Sequence, residues 1–172
     1  EGTDTLGITK ALYATVAGYT TAELSKVTGF EVLSISDALV DADTNIDVSK
    51  IAGVTSFKAA AGITTGNTLS SVINLGANST VELAGAAANN GTLTVGLKTD
   101  TAADVMTLIL NKDYTDNNDT TINALAAAHT VVAADVETLN VNSTGKMAAI
   151  VTKVEGYKAD LVTNTLTLAG SN

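Results

Sequence analysis

The sequence predicts a mainly β fold: a β-solenoid, or parallel β-helix-like stack, of short irregular rungs with minor short helices. A six-residue phrase occurs three times, at residues 25–30, 49–54 and 152–157. The first two copies match over a longer stretch, because Leu33 and Ile35 correspond to Phe57 and Ala59 at an offset of 24 residues. Such repetition is typical of arrays in which each unit buries its apolar face against its neighbours. A β-sandwich is the alternative fold.

The composition favours a thin core that repeats along an axis. The chain has 172 residues, of which 45% are hydrophobic and 3% aromatic, and it has no tryptophan. Val, Ile, Leu and Ala each bury little area, so stability must come from many modest contacts. We expect one repetitive β-rich domain over residues 1–172, either complete or a segment of a longer protein. The strand-like residues 164–170 favour a segment.

The charge balance narrows the range of partners. Eighteen acidic and nine basic residues give a formal net charge of −9, which opposes binding to nucleic acid or to an anionic membrane and favours cations. Because the sequence has no cysteine, no disulfide is possible. It also lacks a long apolar run and a basic, apolar leader, so we expect no membrane insertion.

Helices are predicted near the start of the chain. Residues 8–16 are rich in alanine and favour a helix. Thr20 and Glu23 have the spacing of a capping box, which predicts one or two helical turns that end at Gly29. Residues 122–129 suit either a helix or a strand with a loop. In the repeated phrase we expect the glycine to take positive φ at a corner between rungs and the lysine to point to solvent.

Short strands are predicted along the rest of the chain. Apolar and polar residues alternate with period two in four segments, at residues 81–83, 93–97, 139–141 and 166–168. Residues 72–75 and 106–110 are apolar on both faces, so we expect two central strands that lie under other segments. The spacing between strands is uneven, which predicts rungs with loops of different lengths.

Two acidic segments are candidate calcium sites. Asp41, Asp43, Asn45 and Asp47 place oxygen side chains at alternate positions, which suits a hard cation. The segment resembles the start of an EF-hand loop but lacks the glycine and the final glutamate that this loop needs. A solvated acidic turn is the alternative. The second segment has the same two interpretations, and a plain loop is favoured there. Its acidic residues are Asp113, Asp116 and Asp119.

No catalytic or cofactor-binding motif is recognisable, so we expect a protein that is not an enzyme. His129 is the only histidine and lacks the partners that a triad or a zinc site needs. Glu31 and Glu137 occupy equivalent places in two similar phrases. Paired acids suggest glycoside hydrolysis, but equivalence within a repeat better explains them as outward-facing strand residues. A polysaccharide lyase is disfavoured because the chain has no arginine.

Three phrases resemble bacterial surface-layer proteins and the related large repetitive adhesins exported by type I secretion. They lie at residues 29–35, 135–145 and 165–170, in a chain rich in Thr, Ala, Asn and Val. The resemblance implies an extracellular β-solenoid on the bacterial cell surface that assembles into a sheet or filament, with calcium bridging acidic loops. The chain departs from the family in lacking a glycine-rich calcium repeat, so the resemblance does not place the metal.

Two functions are expected on these grounds. The first is a structural extracellular protein that self-assembles into a cell-surface layer or filament, with identical subunits, adjacent domains and cell-surface polysaccharide as partners. In that case calcium at Asp41, Asp43 and Asp47 would relieve charge repulsion across a contact. The alternative is an adhesin module that binds carbohydrate or a host or matrix surface. The scarcity of Tyr and Phe for an aromatic platform counts against it.

Overall fold

The described part of the protein is mainly β, as predicted. The computed structural model describes residues 2–41, 43–64, 70–84, 92–111, 130–133, 136–143, 153–154, 157–162 and 165–170. The helices are α1 (Lys10–Ala17) and α2 (Thr21–Leu24), and a single 3-10 turn spans Val48–Lys50. The strands are β1 (Thr5–Ile8), β2 (Val32–Ile35), β3 (Ile46–Asp47), β4 (Ser56–Ala59), β5 (Ser70–Leu75), β6 (Thr80–Ala84), β7 (Thr92–Leu97), β8 (Val105–Asn111), β9 (Thr130–Val132), β10 (Thr138–Ser143), β11 (Lys153–Val154), β12 (Tyr157–Val162) and β13 (Thr165–Gly170).

The strands form two sheets between which the chain alternates. One sheet has the order β1-β2-β4-β6-β8-β10-β13-β12 and the other β11-β9-β7-β5-β3. Among the described residues, every strand pair from β1 to β11 is parallel. Parallel neighbours need long crossover connections. Helices α1 and α2 lie between β1 and β2, whereas from β2 to β11 each connection contains a strand of the other sheet. Because β-sandwiches pair their strands antiparallel, this pairing favours the β-helix-like class over the sandwich alternative.

The offset between copies of the sequence repeat equals the offset between paired residues in the eight-stranded sheet. Leu33 pairs with Phe57 and Ile35 with Ala59, which is the predicted offset of 24 residues. We use "repeat" for the segment from one strand of this sheet to the next. Repeats differ in length, because Thr5 pairs with Val32, an offset of 27, whereas the offset from β8 to β10 is 33 residues. The predicted unevenness of the rungs is therefore confirmed.

The core is one aliphatic cluster to which both sheets contribute. Leu33, Val81 and Leu108 of the larger sheet and Val72 and Leu93 of the smaller sheet are fully buried. Alternate residues of β4, β6 and β8 point inward, as the pleat requires. The strands β5 and β8 are central in their sheets, as predicted. Only one face of each is fully buried, however, because the alternate residues of both strands stay partly exposed.

A threonine caps the N-terminus of helix α1 and of helix α2. The side chain of Thr9 accepts a hydrogen bond from Leu12 N. Thr20 and Glu23 form the predicted capping box, in which the Thr20 side chain accepts from Glu23 N and the Glu23 carboxylate accepts from Thr20 N. These bonds satisfy N–H groups that have no partner inside a helix. The capping box thus locates the start of α2, but the helix ends at Leu24 and does not extend to Gly29 as predicted.

The repeated glycines have the predicted role. Gly29 has φ +84° and Gly53 φ +91°, a region that residues with a Cβ rarely adopt. A Cβ at Gly53 would also lie 3.2 Å from the carbonyl oxygen of Phe30 in the preceding repeat. Lys26 and Lys50 are exposed, as expected. Both glycines therefore turn the chain into the next strand of the eight-stranded sheet.

Candidate metal site

Three carboxylates from two neighbouring repeats converge at the start of β8 and β10. Each of Asp100, Asp104 and Glu137 offers a carboxylate oxygen, and these oxygens lie within 4.8 Å of one another. Three negative charges at this distance repel one another, and a divalent cation removes the repulsion. Carboxylate oxygens are also the ligands that hard cations prefer. This cluster can therefore hold a metal ion.

The parallel register brings two of these acids together. Thr138 pairs with Val105, so the residues that precede them, Glu137 and Asp104, are also neighbours. Glu137 Oε2 accepts a hydrogen bond of 2.7 Å from Asp104 N. Thr138 N donates to Asp104 O at 3.0 Å. The backbone thus holds the Glu137 carboxylate beside the first residue of the neighbouring repeat.

A local turn positions the third acid. Asp104 Oδ2 accepts from Thr101 N at 2.5 Å and Asp104 Oδ1 accepts from Thr101 Oγ1 at 2.9 Å. These bonds fold residues 100–104 back on themselves and bring Asp100 to the cluster. Asp104 is 2% exposed, while Asp100 is exposed and Glu137 partly exposed. A cation would enter from the side of Asp100 and meet a buried carboxylate that is already oriented.

The same contact recurs in the first repeat. Glu31 Oε2 accepts a hydrogen bond of 2.7 Å from Asp4 N, which is the geometry of Glu137 and Asp104. The predicted equivalence of Glu31 and Glu137 is therefore confirmed in their contacts. Their placement within strands was wrong, because each lies one residue before its strand. Their carboxylates bind the backbone of the neighbouring repeat and do not simply face solvent.

In the predicted cation segment at residues 41–47, two carboxylates already form hydrogen bonds and an ion pair with other residues. Asp43 Oδ2 accepts from Lys10 Nζ at 3.0 Å and from Val40 N at 2.6 Å. Asp47 Oδ1 accepts from Ser49 N at 3.0 Å and from Ser49 Oγ at 2.7 Å. Two predicted ligands thus already serve an ion pair and a cap.

The remaining predicted ligands are Asp41 and Asn45. Asn45 has φ +57°, and its N–H donates to Ser71 Oγ at 2.6 Å, while Asp41 is exposed. Cation binding at residues 41–47 stays a prediction, and the three-carboxylate cluster among the described residues is a different set. Asp113, Asp116 and Asp119 lie outside the described residues, as do His129 and the segment 122–129.

The electrostatics of Asp47 reflect its cap. Burial alone raises the pKa of the Asp47 carboxyl, but hydrogen bonds from Ser49 and Asn74 and the charge of Lys50 outweigh it. The pKa is therefore lower than its ordinary value of 3.8. The carboxylate is ionised at neutral pH and stabilises the start of the 3-10 turn.

A shallow cavity of about 390 Å³, lined by polar and apolar groups, lies at the start of β2, β4 and β6. Hydroxyl groups and the ion pair between Lys58 Nζ and Glu82 Oε1, at 2.9 Å, supply the polar groups. Within β4 and β6 the lining residues Ser56, Lys58, Thr80 and Glu82 alternate with buried residues, so these side chains lie on the face of the sheet that points away from the core. The lining residues are Thr3, Glu31, Val32, Thr55, Ser56, Phe57, Lys58, Thr80 and Glu82.

No protein-family model, curated protein or solved structure matches the chain. Among the helices that the structure describes, none is long and apolar enough to cross a membrane.

Proposed function

We propose that the chain is a β-solenoid module of an extracellular structure on the bacterial cell surface, and that its function is to assemble with further copies or adjacent domains. The observation that carries the proposal is the parallel register from β1 to β10, in which each repeat adds one strand to the same sheet. A stack of this kind grows along one axis and ends in strands with unpaired backbone groups. Such ends are natural sites of association.

A calcium ion is the cation that best suits the carboxylate cluster. Asp100, Asp104 and Glu137 supply only oxygen ligands, and they come from an irregular turn and a strand start. Calcium accepts irregular arrangements of six to eight oxygen atoms, whereas magnesium demands a near-ideal octahedron. A bound ion would join the repeat of β8 to that of β10. It would thereby stiffen the stack against local opening.

The experiment is sedimentation velocity over a range of protein concentrations, once with calcium and once with a chelator. The proposal predicts species larger than a monomer that grow with concentration in calcium and shrink on chelation. If the chelator does not change the assembly, the proposed role of calcium is rejected and the proposed assembly function is retained. A monomer at every concentration under both conditions would contradict the proposed function.

The cavity at the start of β2, β4 and β6 favours the adhesin alternative as a second candidate. Glycans present hydroxyl groups that hydrogen bond to hydroxyl, ammonium and carboxylate groups of the kind found there. If the cavity binds a glycan, Lys58→Ala abolishes retention on an array of cell-surface and matrix glycans, while Lys50→Ala, which removes an exposed lysine outside the cavity, leaves it unchanged. Equal retention of both variants, or no retention of the wild type, would reject the adhesin alternative.

A further inference from the structure

The eight-stranded sheet ends at β1 in an edge that no described residue pairs. Val32 N donates to Asp4 O and Ser36 N donates to Ile8 O, so in this parallel pair Asp4, Leu6 and Ile8 direct their backbone groups toward β2. The N–H and C=O groups of Thr5 and Gly7 therefore point away from the sheet. Both residues are exposed. Four backbone hydrogen-bonding groups thus lie in line on an accessible edge.

The corresponding edge of the smaller sheet is covered. At β3, the hydroxyl of Tyr13 in α1 accepts a hydrogen bond from Asp47 N at 2.7 Å and donates one to Asp47 O at 3.2 Å. A single side chain thus satisfies both backbone groups of that residue. Covering an edge strand with a helix is one way in which proteins prevent unwanted strand addition. Among the residues that the structure describes at this end, the edge of the larger sheet is open and that of the smaller sheet is covered.

The opposite end of the larger sheet presents a strand of matching direction. β13 runs antiparallel to β10, and β12 runs antiparallel to β13. Two reversals restore the original direction, so β12 is parallel to β10 and hence to β1. The register is also continuous across the sheet. If paired residues are followed from strand to strand, the row that begins with Thr5 and Val32 reaches Asn140, Thr167 and Asp160. A second copy translated along the stack would continue this row.

We propose that β12 of one copy pairs in parallel with β1 of a second copy, so that the eight-stranded sheet continues from copy to copy in a head-to-tail filament. The inference rests on the proposed function, because it names the surfaces through which assembly occurs. A twofold dimer through β1 alone would pair the two β1 strands antiparallel and would leave no open edge of this sheet at the contact. Parallel pairing instead repeats the bonding found throughout β1 to β10 and is open to further addition.

A proline on the open edge tests the role of β1. Gly7→Pro removes an outward N–H that no described residue uses and places a ring in the path of an added strand, as proline does on natural edge strands. Gly7→Ala is the matched control, because a Cβ there meets nothing within 4 Å. We expect Gly7→Pro to raise the concentration needed for half-assembly about tenfold or more, and Gly7→Ala to leave it unchanged. Circular dichroism and thermal melting establish that both variants fold.

Engineered cysteines test the identity of the partner strand, and the natural chain has no cysteine to interfere. One variant carries Thr5→Cys and the other Asp160→Cys, two positions of one register row. Head-to-tail pairing predicts disulfide-linked dimers in the mixture and none in either variant alone. Linked dimers of the Thr5→Cys variant alone would show the twofold arrangement and overturn the proposal.

The outcomes separate the two proposals. If the wild type assembles while Gly7→Pro assembles equally well and the mixed cysteine variants do not link, the edge inference fails and the assembly function stands. If the wild type does not assemble, both fail. Linked dimers in the mixture together with weakened assembly of Gly7→Pro would support both.

Discussion

Single acidic side chains fasten neighbouring repeats to each other. Glu31 and Glu137 each accept a backbone N–H from the residue that precedes the adjacent strand, at 2.7 Å in both cases. Hydrogen bonds to an ionised acceptor are stronger than neutral ones. Only the second contact has two further carboxylates beside it. The same hydrogen bond thus joins two repeats at Glu31, whereas at Glu137 it also forms part of a candidate cation site.

Substitution of Glu137 and of Glu31 separates cation binding from the hydrogen bond between repeats. Glu137→Gln keeps an oxygen that can accept from Asp104 N but removes a charge from the cluster, so we expect calcium affinity to fall about tenfold or more. Titration calorimetry, or the luminescence of bound terbium, measures the affinity. Glu31→Gln is the matched control, since it alters the same contact away from the cluster and leaves calcium binding unchanged. Equal affinity of Glu137→Gln and the wild type would remove the cluster as the calcium site.

Asp47 gives the fold a dependence on acid pH. Its lowered pKa in the folded chain means that its contribution to stability is full above about pH 4, the ordinary value of an aspartate. The contribution is lost as the pH falls through the lowered folded pKa. Asp47→Asn should therefore lower the melting temperature at pH 6, and the difference from the wild type should narrow toward pH 2 in the presence of chelator. A difference that is constant with pH would contradict this assignment.

At the scale of secondary structure, local signals identified most elements but not all their partners. Period-two alternation located β6, β7, β10 and β13, and the capping box located α2. These signals depend on residues close in sequence, which is why they could be read directly. The antiparallel direction of β12 and β13 relative to each other follows from the two residues that separate them. The pairing of β13 with β10 could not be predicted, because it joins segments that are distant in sequence. The covering of β3 by α1 could not be predicted either, because Tyr13 and Asp47 are 34 residues apart in sequence.

The cover on β3 makes a prediction at this scale. Burial raises the pKa of the Tyr13 hydroxyl, so the group stays protonated and able to donate. Tyr13→Phe leaves Asp47 N and O without this partner and should lower the free energy of unfolding by about 1–3 kcal/mol. Tyr19→Phe, at a residue that is 37% exposed, should change it by less than about 0.5 kcal/mol. Urea denaturation compares the two variants, and equal stabilities would show that the Tyr13 hydroxyl does not hold α1 on β3.

For the whole molecule, internal repetition was the most informative part of the sequence. The offset between two copies of one phrase predicted the register of β2 and β4, because a stack places equivalent residues side by side. The carboxylate cluster was not predicted, since Asp104 and Glu137 are 33 residues apart and meet only when one repeat lies on the next. The acids of residues 41–47 were more conspicuous because they are adjacent in sequence.

Fibre diffraction from oriented assemblies tests the central claim, that the repeats stack along one axis and that copies continue the stack. Strands that lie across the filament are separated by about 4.7–4.9 Å in the hydrogen-bonding direction. The account predicts a strong reflection at this spacing along the filament axis, in filaments whose length is reduced by Gly7→Pro. A reflection at this spacing across the axis, or assemblies with no such reflection, would contradict the account.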